Sequence, residues 1–128
     1  MVVLRMHDHW HRRKPDAIQA GMTRVLGDPK RRVSKVAMAP GFAGFSMHLV
    51  ALRRDDVQVL VIGEAHEWET VEYVADAAAA GIDKALIVIG HIPSEQAGME
   101  DFAHWLAPLV KETTVRFVPA VDPFWFPK

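Results

Sequence analysis

The stretch Ala85-Leu86-Ile87-Val88-Ile89-Gly90-His91-Ile92-Pro93-Ser94-Glu95 decides how this chain is read. The apolar run that opens it reads as a buried strand. A glycine then turns the chain, and Ser94 is a good N-cap for a following helix. In that helix Met99, Phe102, Ala103, Leu106, Leu109 and Val110 recur at helical spacing. A histidine and a carboxylate, His91 and Glu95, therefore stand where a strand gives way to a helix. In open α/β sheets that edge is where ligands bind. Imidazole and carboxylate are common ligands of divalent metals, so His91 and Glu95 are candidate metal ligands. The competing reading makes His91 a hydrogen-bonded strand-end residue and Glu95 an acid favoured by the helix dipole.

Outward from this stretch the pattern alternates. Residues 2–6 form an apolar run that predicts a strand. Pro15-Asp16 can open a helix, with Ile18, Met22, Val25 and Leu26 on one stripe and Gly27-Asp28-Pro29 as its stop. Residues 35–39 predict a second strand, and Pro40-Gly41-Phe42-Ala43-Gly44 a turn. Residues 45–54 predict a short helix with Phe45, Leu49 and Leu52 facing inward. Residues 57–62 are apolar except for Gln58, the pattern of a strand covered on both faces. Residues 67–80 predict a helix whose inner stripe is Trp68, Val71, Ala75 and Ala78, with Gly81 closing it. Residues 84–89 give a fourth strand and 115–118 a last one. The tail holds Phe124-Trp125-Phe126, expected to cover a core edge or a subunit interface. The alternation predicts an α/β fold: a layered sandwich with a mixed or mostly parallel sheet flanked by helices, one domain over residues 1–128.

With 128 residues, half of them hydrophobic, the chain can bury a core of its own. It has no cysteine, which excludes a disulfide, a thiolate zinc site and a cysteine nucleophile. No apolar run approaches the roughly 20 residues that span a bilayer, and the start is too short and too soon charged for a signal peptide. A cytoplasmic protein without membrane contact is the expectation. The net charge is −1 but unevenly spread: residues 1–35 hold nine Lys/Arg against three acids, and the rest six against thirteen. No nucleic-acid motif accompanies the basic end. Opposed faces meeting in an oligomer, or arginines flanking a cleft, account for it as well.

The densest polar cluster is His7-Asp8-His9-Trp10-His11. On an extended segment the three histidines share one face, and neutral imidazoles bind Zn, Fe and Ni, with carboxylates extending the range to Mn. A polar surface turn is the competing reading. Glu64 follows a strand directly. It is placed to act as a general base or to orient a ligand histidine; as a plain turn carboxylate it would cap the next helix. His66, Glu67 and Glu69 read as a solvated helix start. The turn from Pro40 to Ser46 offers backbone N–H groups to an anion, though it matches no phosphate loop. His48 and His104, within helices, receive no role.

Several of these segments resemble the YbgI-like, or NIF-three, family, also termed GTP cyclohydrolase type-two-like, whose members carry a dinuclear metal centre. Val57-Gln58-Val59-Leu60-Val61-Ile62-Gly63-Glu64 is similar to a family strand ending in Gly-Glu. Gly90-His91-Ile92-Pro93-Ser94-Glu95-Gln96-Ala97-Gly98 is similar to its Gly-His-x-x-[Ser/Thr]-Glu-x-x-Gly ligand motif. Pro40 to Ser46 resembles its glycine-rich turn, and Val121-Asp122-Pro123-Phe124 its terminal Asp-Pro-Phe. The likeness covers residues 33–126, the family's C-terminal half, while 1–32 resemble the end of its first half.

The resemblance implies that His91 and Glu95 bind metal. It implies further ligands from an upstream His-x-x-x-Asp, matched here by His7, with His11 standing in the aspartate position and Asp8 as a substitute. Divalent Zn, Fe, Mn or Ni is the implied cofactor. Family members carry a further preceding segment with a second pair of ligand histidines, so the site would be partial, completed between subunits, or part of a longer chain. A homo-oligomer is implied. The function expected is metal-dependent hydrolysis of a phosphorylated or cyclic-amide small molecule, with Glu64 catalytic. The alternative is a non-catalytic oligomeric scaffold or regulatory protein with a structural metal.

Overall fold

A computed structural model describes residues 1–5 and 23–121. Three strands run parallel at its centre: β3 (Lys35–Ala39), β4 (Val59–Ile62) and β5 (Ala85–Val88). An antiparallel strand flanks each side, β1 (Val2–Arg5) on β3 and β2 (Arg24–Leu26) on β5, giving the order β1-β3-β4-β5-β2. Helix α1 (Phe45–Leu52) crosses from β3 to β4. A π-helical turn, Glu67–Val71, runs into α2 (Glu72–Ala79) between β4 and β5. Helix α3 (His91–Leu106) follows β5. The α/β class and the mixed sheet are those the sequence predicts.

Register explains the core. Ala37, Leu60 and Leu86 stand side by side across the three parallel strands, as do Ala39, Ile62 and Val88. All six are buried and pack with Ala51 and Leu52 of α1 and Val74 of α2. The small residues on β3 leave room for the helix, and the larger ones on β4 and β5 fill the space. The opposite face carries Val36, Met38, Val61 and Ile87, each only half-buried among the described residues. Burial on both faces, expected from the apolar runs, is therefore realised on one face by α1 and α2 and in part on the other.

Gln58, the one polar residue in its run, has a defined task. Its side-chain oxygen accepts from Ser34 N–H at 3.2 Å, Ser34 Oγ at 3.0 Å and Lys35 N–H at 3.0 Å, stitching the start of β3 to β4. At the same end Lys84 is buried, with Nζ donating to the carbonyls of Arg54 and Val57, each at 2.6 Å. Burial holds its pKa below the usual lysine value.

Four expectations are corrected. Val25 and Leu26 are in strand β2, not on a helical stripe. Residues 24–26 satisfy the open edge of β5, which outweighs a weak helical pattern. Gly27, at φ 122°, then packs so closely on Ala85 that a Cβ would come within 2.6 Å of the alanine methyl. Residues 115–118 form no strand; they lie along α3, lining with Met99, Phe102 and Leu106 a groove of about 380 Å³. Helix α3 starts at His91, not near Ser94. Pro93 suits a first helical turn, where its missing N–H costs nothing. Finally, Trp68 is 73% exposed. The π turn rotates it out, and Thr70, Val74 and Ala77 face the core instead. The remainder of the helix predicted after Pro15, and the aromatic tail, lie outside the described residues.

His48 is wholly buried, with Nδ1 2.8 Å from Thr70 Oγ1 and no partner for Nε2. Burial pushes its pKa below the ordinary 6.5, and the charge of Glu69 opposes this only in part. The folded state thus holds a neutral ring, while the unfolded chain takes up the proton more readily. Its contribution to stability is complete above pH 6.5 and is lost progressively as the pH falls below that value toward the lowered pKa of the folded state. Thr70→Val leaves both ring nitrogens unpartnered and is expected to cost about 1–3 kcal/mol, read from urea unfolding at pH 7.5. A change within error would refute the pairing.

Candidate metal centre

The C-terminal ends of β3, β4 and β5 deliver three loops to one edge of the sheet. After β3 comes Gly41, after β4 Gly63 and Glu64, and after β5 Gly90 and His91. They are tied by their backbones: Glu64 N–H donates to Gly41 O at 3.0 Å and Gly90 N–H to Gly63 O at 2.9 Å. Ser94 completes the tie. Its hydroxyl accepts from Gly41 N–H at 2.8 Å and donates to His91 O at 2.6 Å. A Cβ on Gly63 would lie within 2.6 Å of both Gly41 backbone atoms and of Ser94 Oγ, so only glycine permits this approach.

His91 stands at the centre of the edge. Its Nδ1 is 2.9 Å from Glu64 Oε1 and its Nε2 is 3.1 Å from Glu95 Oε2. His91 and Glu95, four residues apart on α3, share a helix face. The Glu95 carboxylate rests over Gly41, where a Cβ would fall 2.3 Å from Oε1 and 3.4 Å from His91 Nε2. All three side chains are about half exposed. The hydrogen bond that His91 donates to Glu64 raises the His91 pKa above 6.5; burial works against it, and the charges of Glu64 and Glu95 add to the rise. An imidazole facing a carboxylate through each nitrogen is favoured as the imidazolium, since both contacts then have a donor.

Among the described residues no group of three or more His, Cys, Asp or Glu is gathered as a metal cage. The donor set nevertheless fits a cation in part: one imidazole nitrogen and one carboxylate converge over a glycine that leaves them room, and a second carboxylate fixes the ring. The other expected ligands, His7 and His11, and the substitute Asp8, lie outside the described residues. Strand β1 runs against β3, and its last residue, Arg5, pairs with Lys35 at the far end of the sheet from Gly41 and His91.

The family model described as Duf34/NIF3 (NGG1p interacting factor 3) matches residues 6–123. The chain belongs to the Duf34/NIF3 family. No curated protein matches it. Among solved structures, two crystal structures of the Staphylococcus aureus protein SA1388 superpose with a TM-score of 0.55 at 18% identity. Each match covers 83% of this chain and 29% of that one. The likeness shows the fold; the chain spans less than a third of that protein's length. No helix among the described residues is long and apolar enough to cross a membrane.

Sequence reasoning reached His91, Glu95 and Glu64 but not what Ser94 and Gly63 do. A serine three residues after a turn reads as a cap, and its reach to Gly41 is a tertiary contact with no local signal. His66 is exposed, as a solvated helix start implies; the contact of its ring with Phe42 and Trp68 has no local signal in the sequence. Glu64→Gln removes the main cause of the raised His91 pKa, so that pKa is expected to move down toward 6.5. Titration of the imidazole resonances of metal-free protein measures this; an unchanged value would show that the pairing is absent in solution.

Proposed function

We propose that this Duf34/NIF3 chain binds a divalent metal ion, Zn, Fe, Mn or Ni, through His91 Nε2 and Glu95, and serves metal-dependent hydrolysis of a phosphorylated or cyclic-amide small molecule. The observation that carries the reading is the His91–Glu95 pair at the open ends of the parallel strands, with Glu64 on the other ring nitrogen. A carboxylate on the far nitrogen is the usual partner of a ligand histidine: it fixes the tautomer and raises basicity. The proton on Nε2 sits where a cation would, between an imidazole and a carboxylate. A metal ion held there supplies Lewis acidity toward a phosphoryl or carbonyl oxygen and makes water a nucleophile near neutral pH.

The chain's own groups have separate tasks in this reading. Glu64 keeps Nδ1–H donated away from the metal side, leaving Nε2 as the ligand atom. The alternative role for Glu64 is that of general base toward water. Ser94 holds the His91 turn against Gly41, so that Glu95 and Nε2 keep their spacing. His7 and His11 complete the ligand set, and a homo-oligomer in which neighbours share it fits the same proposal.

Elemental analysis after loading with Zn, Mn, Fe or Ni tests it. About one equivalent or more is expected in the wild type, with His91→Ala and Glu95→Ala each losing most of it. Less than about a tenth of an equivalent in the wild type would end the metal reading. Metal that stays bound without turnover of phosphoesters or cyclic amides would make it structural and the protein a scaffold.

A further inference from the structure

Beside the His91 edge the molecule leaves three aromatic rings in contact and in water. Phe42 and His66 lie with centroids 5.1 Å apart, tilted by 51°. His66 and Trp68 are stacked, 4.6 Å apart and within 11° of parallel. Phe42 is 47% exposed and Trp68 73%. The His66 ring is held by Glu69, whose Oε2 lies 3.0 Å from Nδ1. Trp68 belongs to the π turn, a rare helical form that often marks functional positions. The same turn is fastened from outside by the Arg24–Glu67 ion pair. A built row of aromatic faces is thus held in place yet not packed into the core.

Its location gives it a use. Phe42 is the residue after Gly41, over which the Glu95 carboxylate rests, and His66 is two residues after Glu64. Phe42 and His66 therefore stand on the same two loops, after β3 and β4, that carry Gly41 and Glu64 to the candidate metal edge. Aromatic faces attract a further planar ring through offset stacking, and an exposed tryptophan offers a large face for it.

We infer that the Phe42–His66–Trp68 row is a stacking platform for a planar heteroaromatic ring, carried by the ligand whose polar end reaches His91 and Glu95. This rests on the reading of that edge as a binding site, and it narrows the ligand class to molecules joining such a ring to an anionic or carbonyl group. Phe42 and His66 position the ring's edge, and Trp68 supplies the open face.

The test uses the full chain without metal and reads saturation transfer by NMR from protein to adenosine, with ribose as the ring-free control. Saturation of the purine protons is expected, with none on ribose. Trp68→Ala should cut it at least about threefold, and Trp68→Phe should keep most of it. Trp105→Ala, which removes an equally exposed tryptophan stacked on Phe102 at a distant place on α3, should leave it unchanged. Adenosine 5′-monophosphate should in addition shift the His91 imidazole resonances. Purine saturation that is absent, or insensitive to Trp68→Ala, overturns the platform. Saturation of choline in place of adenosine overturns it too, and so does self-association of the chain that Trp68→Ala abolishes. Ring binding that never perturbs His91 would separate the platform from the edge and refute the shared ligand. Because no metal is needed for these signals, a failure of metal uptake with ring saturation intact removes the metal reading alone.

Discussion

The close approach of Gly41, Gly63 and Ser94 is the contact on which the edge of this molecule depends. Three loops from three parallel strands meet there with their backbones in direct contact, and no side chain can stand between them. The serine hydroxyl accepts from one loop and donates within another, so the position of α3 is set by a single oxygen atom as much as by packing. That matters because α3 buries none of its residues among those described. A helix so poorly buried would ordinarily be free to shift. Its first turn cannot, being fixed at Gly90 by Gly63 and at Ser94 by Gly41. The two side chains with the richest chemistry, His91 and Glu95, lie on that first turn and the next.

Much of this was legible in the sequence. The three parallel strands are short apolar runs followed by a glycine turn, and helical spacing marked the segments between them. His91, Glu95 and Glu64 were found because residue type and strand-end position together point to the same edge. What was hidden depended on partners distant along the chain. Val25 and Leu26 fit a helical stripe locally, yet the open edge of β5 recruits them as a strand. Residues 115–118 fit a strand locally, yet no edge receives them. Trp68 fits the inner stripe only if the helix is α-helical throughout, and the wider π turn breaks that assumption at its first residue. His48 gave no signal because a histidine inside an amphipathic helix has no preferred side. Only its neighbour Thr70, twenty-two positions on, explains its burial.

The sheet is finished unequally. One face is closed by α1 and α2, while on the other Val36, Met38, Val61 and Ile87 are half-covered among the described residues. Helix α3 likewise turns Met99, Phe102 and Trp105 outward. The Staphylococcus aureus protein that shares the fold is more than three times as long as the part matched here, so that protein carries the unit within a larger body. Strand polarity adds a constraint of its own. Chain leaving Arg5 departs from the end of the sheet remote from His91.

The π turn at Glu67–Val71 has a consequence for how this edge can vary. A π turn is in effect one residue more than an α-helix needs. It takes up that residue locally, so the chain after it keeps Val74 and Ala77 in the core, while the chain before it is turned by about 100°. Length and orientation of the loop after β4 are thereby uncoupled from the packing of α2. A one-residue insertion or deletion in this turn would change which aromatic or acidic group faces the edge and leave the core register untouched. The unit thus has a built-in place where the surface beside the His91 edge can diverge at little cost in stability.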